Sequence, residues 1–554
     1  MSAKKNLSPV ERIKTASDGL RGTLAGSLEN GLTGALYEDD QSLIKFHGLY
    51  QQDDRDRRAE RSTKKLEWLF SYMIRLRLPG GFLTPEQWTG LHHVAGEHST
   101  GVIKVTTRQT VQLHGILKSS IKPTIKSFNT LELDSIAACG DVNRNVTCSS
   151  HPKQSALHAQ VFRYADLISE MALPKTNAYY EIWLDQEKIA DKKQEEDPLY
   201  QERYLPRKFK IAIAIPPNND VDVFSNDIGL IAVIENNELK GFNIAAGGGL
   251  SATHGNPDTY ARLASMLGFV DTEEKILKAV YEIITIQRDF GNRSDRKLAR
   301  LKYTIDTMGV DVLRAELEKR CGFELAPPRD YLFTERRDYY GWEQDHLGNW
   351  HYTLFVENGR IVDETTPLKS GLLAVAASGK ANFRFTANQN VIISDVKPED
   401  KNSVQEILQE FGLDTHTGKA GAMRRNSMAC VAFNTCPLAL AEAQRYLPAL
   451  IDRIEPLLEK HAISEEEITV RMTGCPNGCG RSPLAEIGFV GTGYGEYNLH
   501  IGGDRLGERL NTKYRESLDE SAILQELDQL FGSYKAKRLE HETFGDFVTR
   551  EKLV

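Results

Sequence analysis

Four of the seven cysteines in this 554-residue chain fall within one short stretch, Cys430 and Cys436 in MACVAFNTCP and Cys475 and Cys479 in MTGCPNGCG. Four thiolates brought together by two turns can ligate zinc or an iron–sulfur cluster. Cys-x5-Cys is wider than a zinc knuckle and neither pair follows a ferredoxin run, so spacing alone leaves both open. Three details favour a cluster. Pro437 follows Cys436 and opens PLALAEAQRYL, which predicts a helix whose N-terminal amides face that sulfur. Gly474, Gly478 and Gly480 with Pro476 make a loop poor in side chains, through which backbone amides can approach bridging sulfides. Little charge surrounds the motif, which leaves the reduction potential to those amides. Cys139, Cys148 and Cys321 are scattered and read as bystanders. An odd, sparse set of thiols argues against a secreted disulfide scaffold.

Cationic residues form the second candidate set. In LPRKFKIAIAIP, period-two spacing puts Phe209, Ile211, Ile213 and Ile215 on one strand face and Lys208, Lys210, Ala212 and Ala214 on the other. Two ammonium groups about 7 Å apart then sit beside alanines that leave room for a bulky ligand. YMIRLRLPGG places Arg75 and Arg77 opposite Ile74, Leu76 and Leu78. IKVTTRQTVQLHG, read as one strand, places Lys104, Thr106, Arg108, Thr110, Gln112 and His114 together. DVNRNV adds Asn143, Arg144 and Asn145, and QRDFGNRSDRKLARLKY adds Arg288, Arg293, Arg296, Lys297, Arg300 and Lys302. Faces made of donors without acids suit a polyanion, either a small oxyanion or a cofactor bearing many carboxylates. They are not interleaved with the aromatics that stack bases, which argues against RNA.

These residues need elements to hold them. TEEKILKAVYEIITIQ carries Ile276, Ala279, Val280, Ile283 and Ile284 on one stripe after Thr272 as N-cap, which predicts a helix. Strands alternating with helices predict an α+β or α/β chain. TTRQTVQL (106–113) matches TANQNVII (386–393), and residues 229–250 match 485–505 in the same order, so two related halves are expected with a ligand between them. Residues 1–66 are largely polar and charged and read as a solvated arm. Net charge is −8, with 69 Lys and Arg against 77 Asp and Glu, so the cations must be gathered locally rather than spread as in a nucleic-acid binder. No apolar run is long enough for a membrane span and the opening MSAKKNLSPVERIK lacks a signal core, which predicts a cytoplasmic protein with no membrane partner.

FHGLYQQDDRDRRAER, RLRLPGG, TTRQTVQLHGI, DVNRNV, YLPRKFKIA, IQRDFGNR, NSMACVAFNTCP and RMTGCPNGCGR resemble the signatures of the sulfite/nitrite reductase family, from about Gly19 to FGDF near the C-terminus. The resemblance implies siroheme and a [4Fe–4S] cluster sharing one thiolate. Cys430, Cys436, Cys475 and Cys479 would then ligate the cluster, with Cys479 also on the siroheme iron. It implies a substrate cage of Arg77, Arg144, Lys208 and Lys210. Arg108, Gln112, His114, Asn145, Arg207, Lys302 and Gln389 are the expected siroheme contacts. The implied reaction is six-electron reduction of sulfite to sulfide for cysteine biosynthesis, with nitrite as the alternative anion. Electrons would come from an NADPH-oxidising flavoprotein subunit, since the chain shows no G-x-G-x-x-G nucleotide loop after a strand. The implied fold is α+β and pseudo-twofold, with a docking arm (1–66), ferredoxin-like modules (67–135 and 331–410) and siroheme-binding modules (136–330 and 411–554, the latter with the cluster). Asn434 stands where relatives are expected to carry proline, a departure that could loosen the cluster loop.

Overall fold

The computed structural model describes residues 7–186 and 196–554, so the first six residues of the expected arm lie outside it. TTRQTVQL and TANQNVII fold identically. Thr106 N donates to Thr110 O at 2.8 Å and Gln109 N to Thr106 O at 3.2 Å, while Thr386 N donates to Asn390 O at 3.0 Å and Gln389 N to Thr386 O at 3.1 Å. Both glutamines adopt positive φ, 51° and 72°, as these tight turns require. The expected single strand over 103–114 is therefore a hairpin, Ile103–Val105 turning into Val111–Ile116, in which Lys104 faces Gln112 across the ladder.

Each hairpin belongs to a five-stranded antiparallel sheet. The first sheet runs Leu49–Asp53, Phe70–Arg75, Val111–Ile116, Ile103–Val105 and Arg360–Ile361; the second runs Gly341–Gln344, Trp350–Leu354, Val391–Val396, Asn382–Phe385 and Phe82–Leu83. The two sheets exchange their last strands, for Arg360 pairs with Lys104 and Phe82 with Arg384. Each sheet is finished by a strand from the other half, and the first also takes Leu49–Asp53 from the stretch before residue 67.

The other two sheets are also copies. In the third, Thr147–Cys148, Ile211–Ala214 and Ile228–Glu235 are parallel neighbours, then Glu238–Ala246 and Ser265–Val270 add antiparallel. The fourth repeats this with Ser427–Ala429, Val470–Thr473, Ile487–Gly493, Glu496–Ile501 and Thr512–Leu518. A single hydrogen bond marks the equivalence, Lys210 N to Asp227 Oδ2 and Thr469 N to Glu486 Oε2, both 2.9 Å. The helix expected after Thr272 spans Glu273–Phe290, with Thr272 Oγ1 accepting from Lys275 N at 3.3 Å.

The arm is packed up to about Asp53 and largely exposed over 56–66. Leu20, Leu24, Leu43, Ile44 and Leu49 are at most 2 % exposed in the main core, because these sparse apolar residues fall where short helices and a strand turn them inward. Its first helix, Pro9–Ala16, carries Lys14, whose Nζ donates to Leu205 O at 2.7 Å and lies 3.6 Å from Asp141. Asp141 also accepts from both terminal nitrogens of Arg296, at 2.6 and 2.9 Å. Burial opposes ionisation of Asp141, but Arg296 and Lys14 outweigh it and hold the carboxyl well below its ordinary 3.8. A depressed carboxylate pKa stabilises the fold above that ordinary value, and the contribution disappears as pH falls toward the folded one. Asp141→Asn is expected to lower unfolding free energy by about 3–5 kcal/mol, because Arg296 loses its carboxylate and the buried Lys14 must share Glu11 with Arg293. Denaturant melts at neutral pH measure this, and the loss should shrink in acid.

Candidate active site

The alternation in KFKIAIAI survives folding. Phe209, Ile211, Ile213 and Ile215 enter the main core, whereas Ala212 and Ala214 join a smaller one with Val221 and Phe224. Lys208 and Lys210 thus open into a cleft between the halves, lined also by Arg108, Arg300, Arg481 and Cys479. No Asp or Glu lines this cleft among the described residues. Arg300 is paired with Asp227 at 2.8 Å and Arg481 with Asp222 at 2.5 Å, both carboxylates lying behind the lining. Burial, then Arg300 and Arg108, pulls Lys210 down to about 7. Burial, then Lys210, Arg207 and Arg144, holds Lys208 well below the ordinary lysine value. Burial and the neighbouring cations bring Arg108 to about 9 and leave its Nε unpartnered. Cations crowded until their charged forms are disfavoured make a site that gains by taking an anion.

Arg144 reaches the cleft's rim, its Nε and Nη2 donating to Gly140 O and its Nη2 also to Tyr50 Oη at 3.3 Å. Arg75, at the end of the strand Phe70–Arg75, reaches the segment before Arg144, its Nη1 donating to Cys139 Sγ at 3.0 Å and Ala138 O at 3.3 Å. Arg77 does not join them. The strand ends at Arg75, Arg77 N bonds Asp134 O, and the guanidinium is engaged by Asp134 and Glu170, each at 2.6 Å. Period-two reasoning put Arg75 and Arg77 on one face, but the chain leaves the sheet between them and the Arg77 guanidinium is held by acids outside the cleft lining.

Other expected contacts divide in the same way. Arg207 is half-buried, without a hydrogen-bond or ion-pair partner among the described residues, and burial with Arg296 lowers it to about 10. Gln112 accepts from Arg75 Nε at 2.9 Å and donates to His114 Nε2, and His114 Nδ1 meets Gln52 Oε1 at 3.0 Å. Burial, then Lys104 and Arg75, lowers His114 to about 3, so a neutral imidazole orients Gln112 and through it Arg75. Asn145 is fully engaged in joining backbones, accepting from Leu78 N and donating to Leu78 O and Arg108 O at 2.7–2.8 Å. Lys302 is buried with Nζ on the carbonyls of Gly249, Ser251 and Tyr260. Gln389 reaches Ala429 O, as its counterpart Gln109 reaches Cys148 O. Asn145, Lys302 and Gln389 are thus framework rather than cleft contacts, because each amide or ammonium satisfies a buried carbonyl. Arg300 and Arg481 replace them. Arg300 caps the helix Leu301–Met308 two residues before Lys302, and Arg481 follows the second cysteine pair directly.

The four cysteines meet at the end of this cleft. Burial, then Cys479, pushes Cys436 up to about 11 and raises Cys430 and Cys475 as well. Such mutual repulsion calls for a multivalent cation before all four can ionise. Amides are already aimed at the sulfurs: Gly474 N lies 3.4 Å from Cys430 Sγ, and Asn477 Nδ2 lies 3.5 Å from Cys475 Sγ. Gly474 has no alternative, because a Cβ there would stand 2.5 Å from Ala441 O. Among the described residues no group of three or more His, Cys, Asp or Glu could hold a single metal ion. A [4Fe–4S] cubane gives each of four thiolates its own iron, and four cysteines with amides aimed at their sulfurs fit that demand. Two expectations are corrected. No helix follows Pro437, the next one being Leu447–Lys460, so Leu438 and Ala439 amides serve Cys436 from a turn. The surroundings are not charge-poor either, since Arg55 approaches from a distant segment and Arg481 stands two residues after Cys479. Asn434 does not loosen the loop, for its Nδ2 donates to Asp54 Oδ1 at 2.9 Å.

Residues 164–325 match the family described as "Nitrite and sulphite reductase 4Fe-4S domain", and residues 70–130 and 343–411 match "Nitrite/Sulfite reductase ferredoxin-like half domain". The chain is 62 % identical over 551 residues to the "Sulfite reductase [NADPH] hemoprotein beta-component" of Leptospira biflexa, covering 99 % of both chains. It is 51 % identical to the protein of the same description in Staphylococcus haemolyticus, covering 99 % of this chain and 96 % of that one. This chain belongs to the nitrite and sulfite reductase family. It is an oxidoreductase of that family. Its fold is shared with the Mycobacterium tuberculosis NirA protein at a TM-score of 0.80 and 24 % identity, over 99 % and 97 % of the two chains. Within this nitrite and sulfite reductase fold the cysteines stand in the fourth sheet's half, outside the stretch matched as the 4Fe-4S domain, which covers the equivalent first copy. The copies differ in sign: Lys210 corresponds to Thr469 and Lys208 to Glu467. The lysine pair of the cleft therefore comes from the first copy. No helix of the described residues is long and apolar enough to cross a membrane.

Proposed function

We propose that this chain reduces sulfite to sulfide in the cleft between its halves, with siroheme held over Cys479 and a [4Fe–4S] cluster held by Cys430, Cys436, Cys475 and Cys479. The observation that carries the reading is the acid-free cleft in which Lys208, Lys210 and Arg108 crowd together without a carboxylate partner, beside one of four cysteines whose thiolates would repel one another. Siroheme carboxylates would take Arg108, Arg207, Arg300 and Arg481. The coupled pair, when bound, supplies single electrons and an iron that holds sulfur. Taking sulfite to hydrosulfide requires six electrons and seven protons and releases three waters.

Lys208 and Lys210 neutralise the dianion and offer N–H to oxygens that leave as water. Arginine stays charged and anchors, so Arg144 and Arg75 fix the anion's orientation. Electrons come from a partner flavoprotein that oxidises NADPH, and the reaction serves sulfur assimilation. The test is the purified protein's visible spectrum with sulfite turnover from an artificial donor. A colourless protein carrying zinc and no iron would sink the reading.

Arg75 and Arg77 give a sharper check. Arg75→Gln is expected to lower sulfite kcat/KM by about 10²-fold, the usual cost of one charge-stabilising donor, while Arg77→Gln leaves it within about twofold. The reverse result would restore Arg77 to the cage.

A further inference from the structure

Between Ala429 and Leu447 the chain carrying Cys430 and Cys436 forms neither helix nor strand. It is held from outside by three consecutive residues some 380 positions earlier in the chain. Arg55 Nη1 donates to Cys436 O at 2.8 Å and to Ala439 O at 2.9 Å, and its guanidinium lies over the Phe433 ring, 4.4 Å from the centroid. Arg55 N donates to Asn434 O at 3.2 Å, and Asn434 Nδ2 donates to Asp54 Oδ1 at 2.9 Å. Arg445, beyond the loop, pairs with Asp56 at 2.6 Å. The neighbouring Arg58 is neutralised by Asp53 through two bonds of 2.6 and 2.7 Å. Arg55 has no ion-pair partner among the described residues, so its charge is directed at the loop and its sulfur.

We propose that Arg55 is a positioning residue for the cluster: it closes the Cys436 loop in its ligating shape and places an uncompensated positive charge beside that thiolate. The inference rests on the reading that the four cysteines hold a [4Fe–4S] cluster. Two charge-assisted bonds to carbonyls and a stacked ring resist loop opening. A fixed cation next to a cluster favours the reduced, more negative state and so raises its potential.

Neither measurement of the test needs turnover. Iron release to a chelator and an EPR-monitored reductive titration are compared in the anaerobically purified holoprotein and its variants. Arg55→Gln is expected to release iron about tenfold faster, the effect of losing one such bond, and to be reduced at more negative potential. Arg55→Lys keeps the charge without the planar fork, so it should hold the parent potential while releasing iron faster. Arg57→Gln, altering a guanidinium that meets only Glu60, should match the parent in both. Parent-like iron release and potential in Arg55→Gln, or equal potentials in Arg55→Lys and Arg55→Gln, would overturn the proposal. A parent protein without iron would sink the cluster reading itself and is told apart at the first spectrum.

Discussion

Cys479→Ser is expected to fold, to lose the coupled visible spectrum and to reduce sulfite below detection. Of the four cysteines it alone is exposed, and it lines the anion cleft while the other three face inward. A thiolate in that position can serve two groups at once, whereas serine presents a harder, far less acidic oxygen to soft iron. The loop around it does not depend on the sulfur: Thr107 Oγ1 bonds Cys479 O at 3.1 Å, and Gly480 packs against Met472 O regardless of the side chain. Thermal melting should therefore fall by only a few degrees while colour and turnover vanish together. Retention of sulfite turnover in Cys479→Ser would remove this residue from the shared position. Cys321→Ser, altering a half-buried thiol far from the quartet in sequence, is the matched control.

Lys210→Gln is expected to cost about 10²–10⁴-fold in kcat, the range associated with losing one positioned proton donor. The pH dependence carries the stronger information. An ammonium lowered to about 7 is protonated below that value and donates there, so turnover should fall as pH rises through it. Anions bound in the cleft favour the charged form, which moves the limb upward from 7 and never below it. In Lys210→Gln that alkaline limb should disappear while the remaining rate stays flat. A limb persisting unchanged in the variant would assign proton delivery elsewhere, Lys208 being next in line.

The chemistry was more legible in the sequence than the geometry that delivers it. The cysteine pairs, the lysine pair and the helix over Glu273–Phe290 were readable because each depends on spacing within a single element. Arg77 was misplaced for the same reason: a period holds only while the strand lasts, and nothing local announces that Asp134 draws the chain away after Arg75. The hairpin at Thr106–Thr110 was hidden because it turns without glycine or proline, through Gln109 at positive φ. Lys302 looked like Arg300 in sequence, and only the helix start separates a buried ammonium capping carbonyls from a guanidinium facing the cleft. The arm was misread because its few apolar residues are spread over several short elements, so no window shows the stripe that the fold assembles.

The exchanged strands have a consequence for how the molecule is made. Lys104 waits for Arg360, about 250 residues downstream, before its sheet has an end, and Arg384 must return to Phe82 across a still longer span. A ribosome emitting the first half thus releases an unfinished edge that cannot close until the second half has begun to emerge. The cysteine loop is later still, for its latch at Arg55 is translated some 380 residues before its target at Cys436. Completion of both sheets and closure of the metal-binding loop therefore all wait for the second half, so that a chain truncated before it has neither a sealed fold nor a place to keep iron.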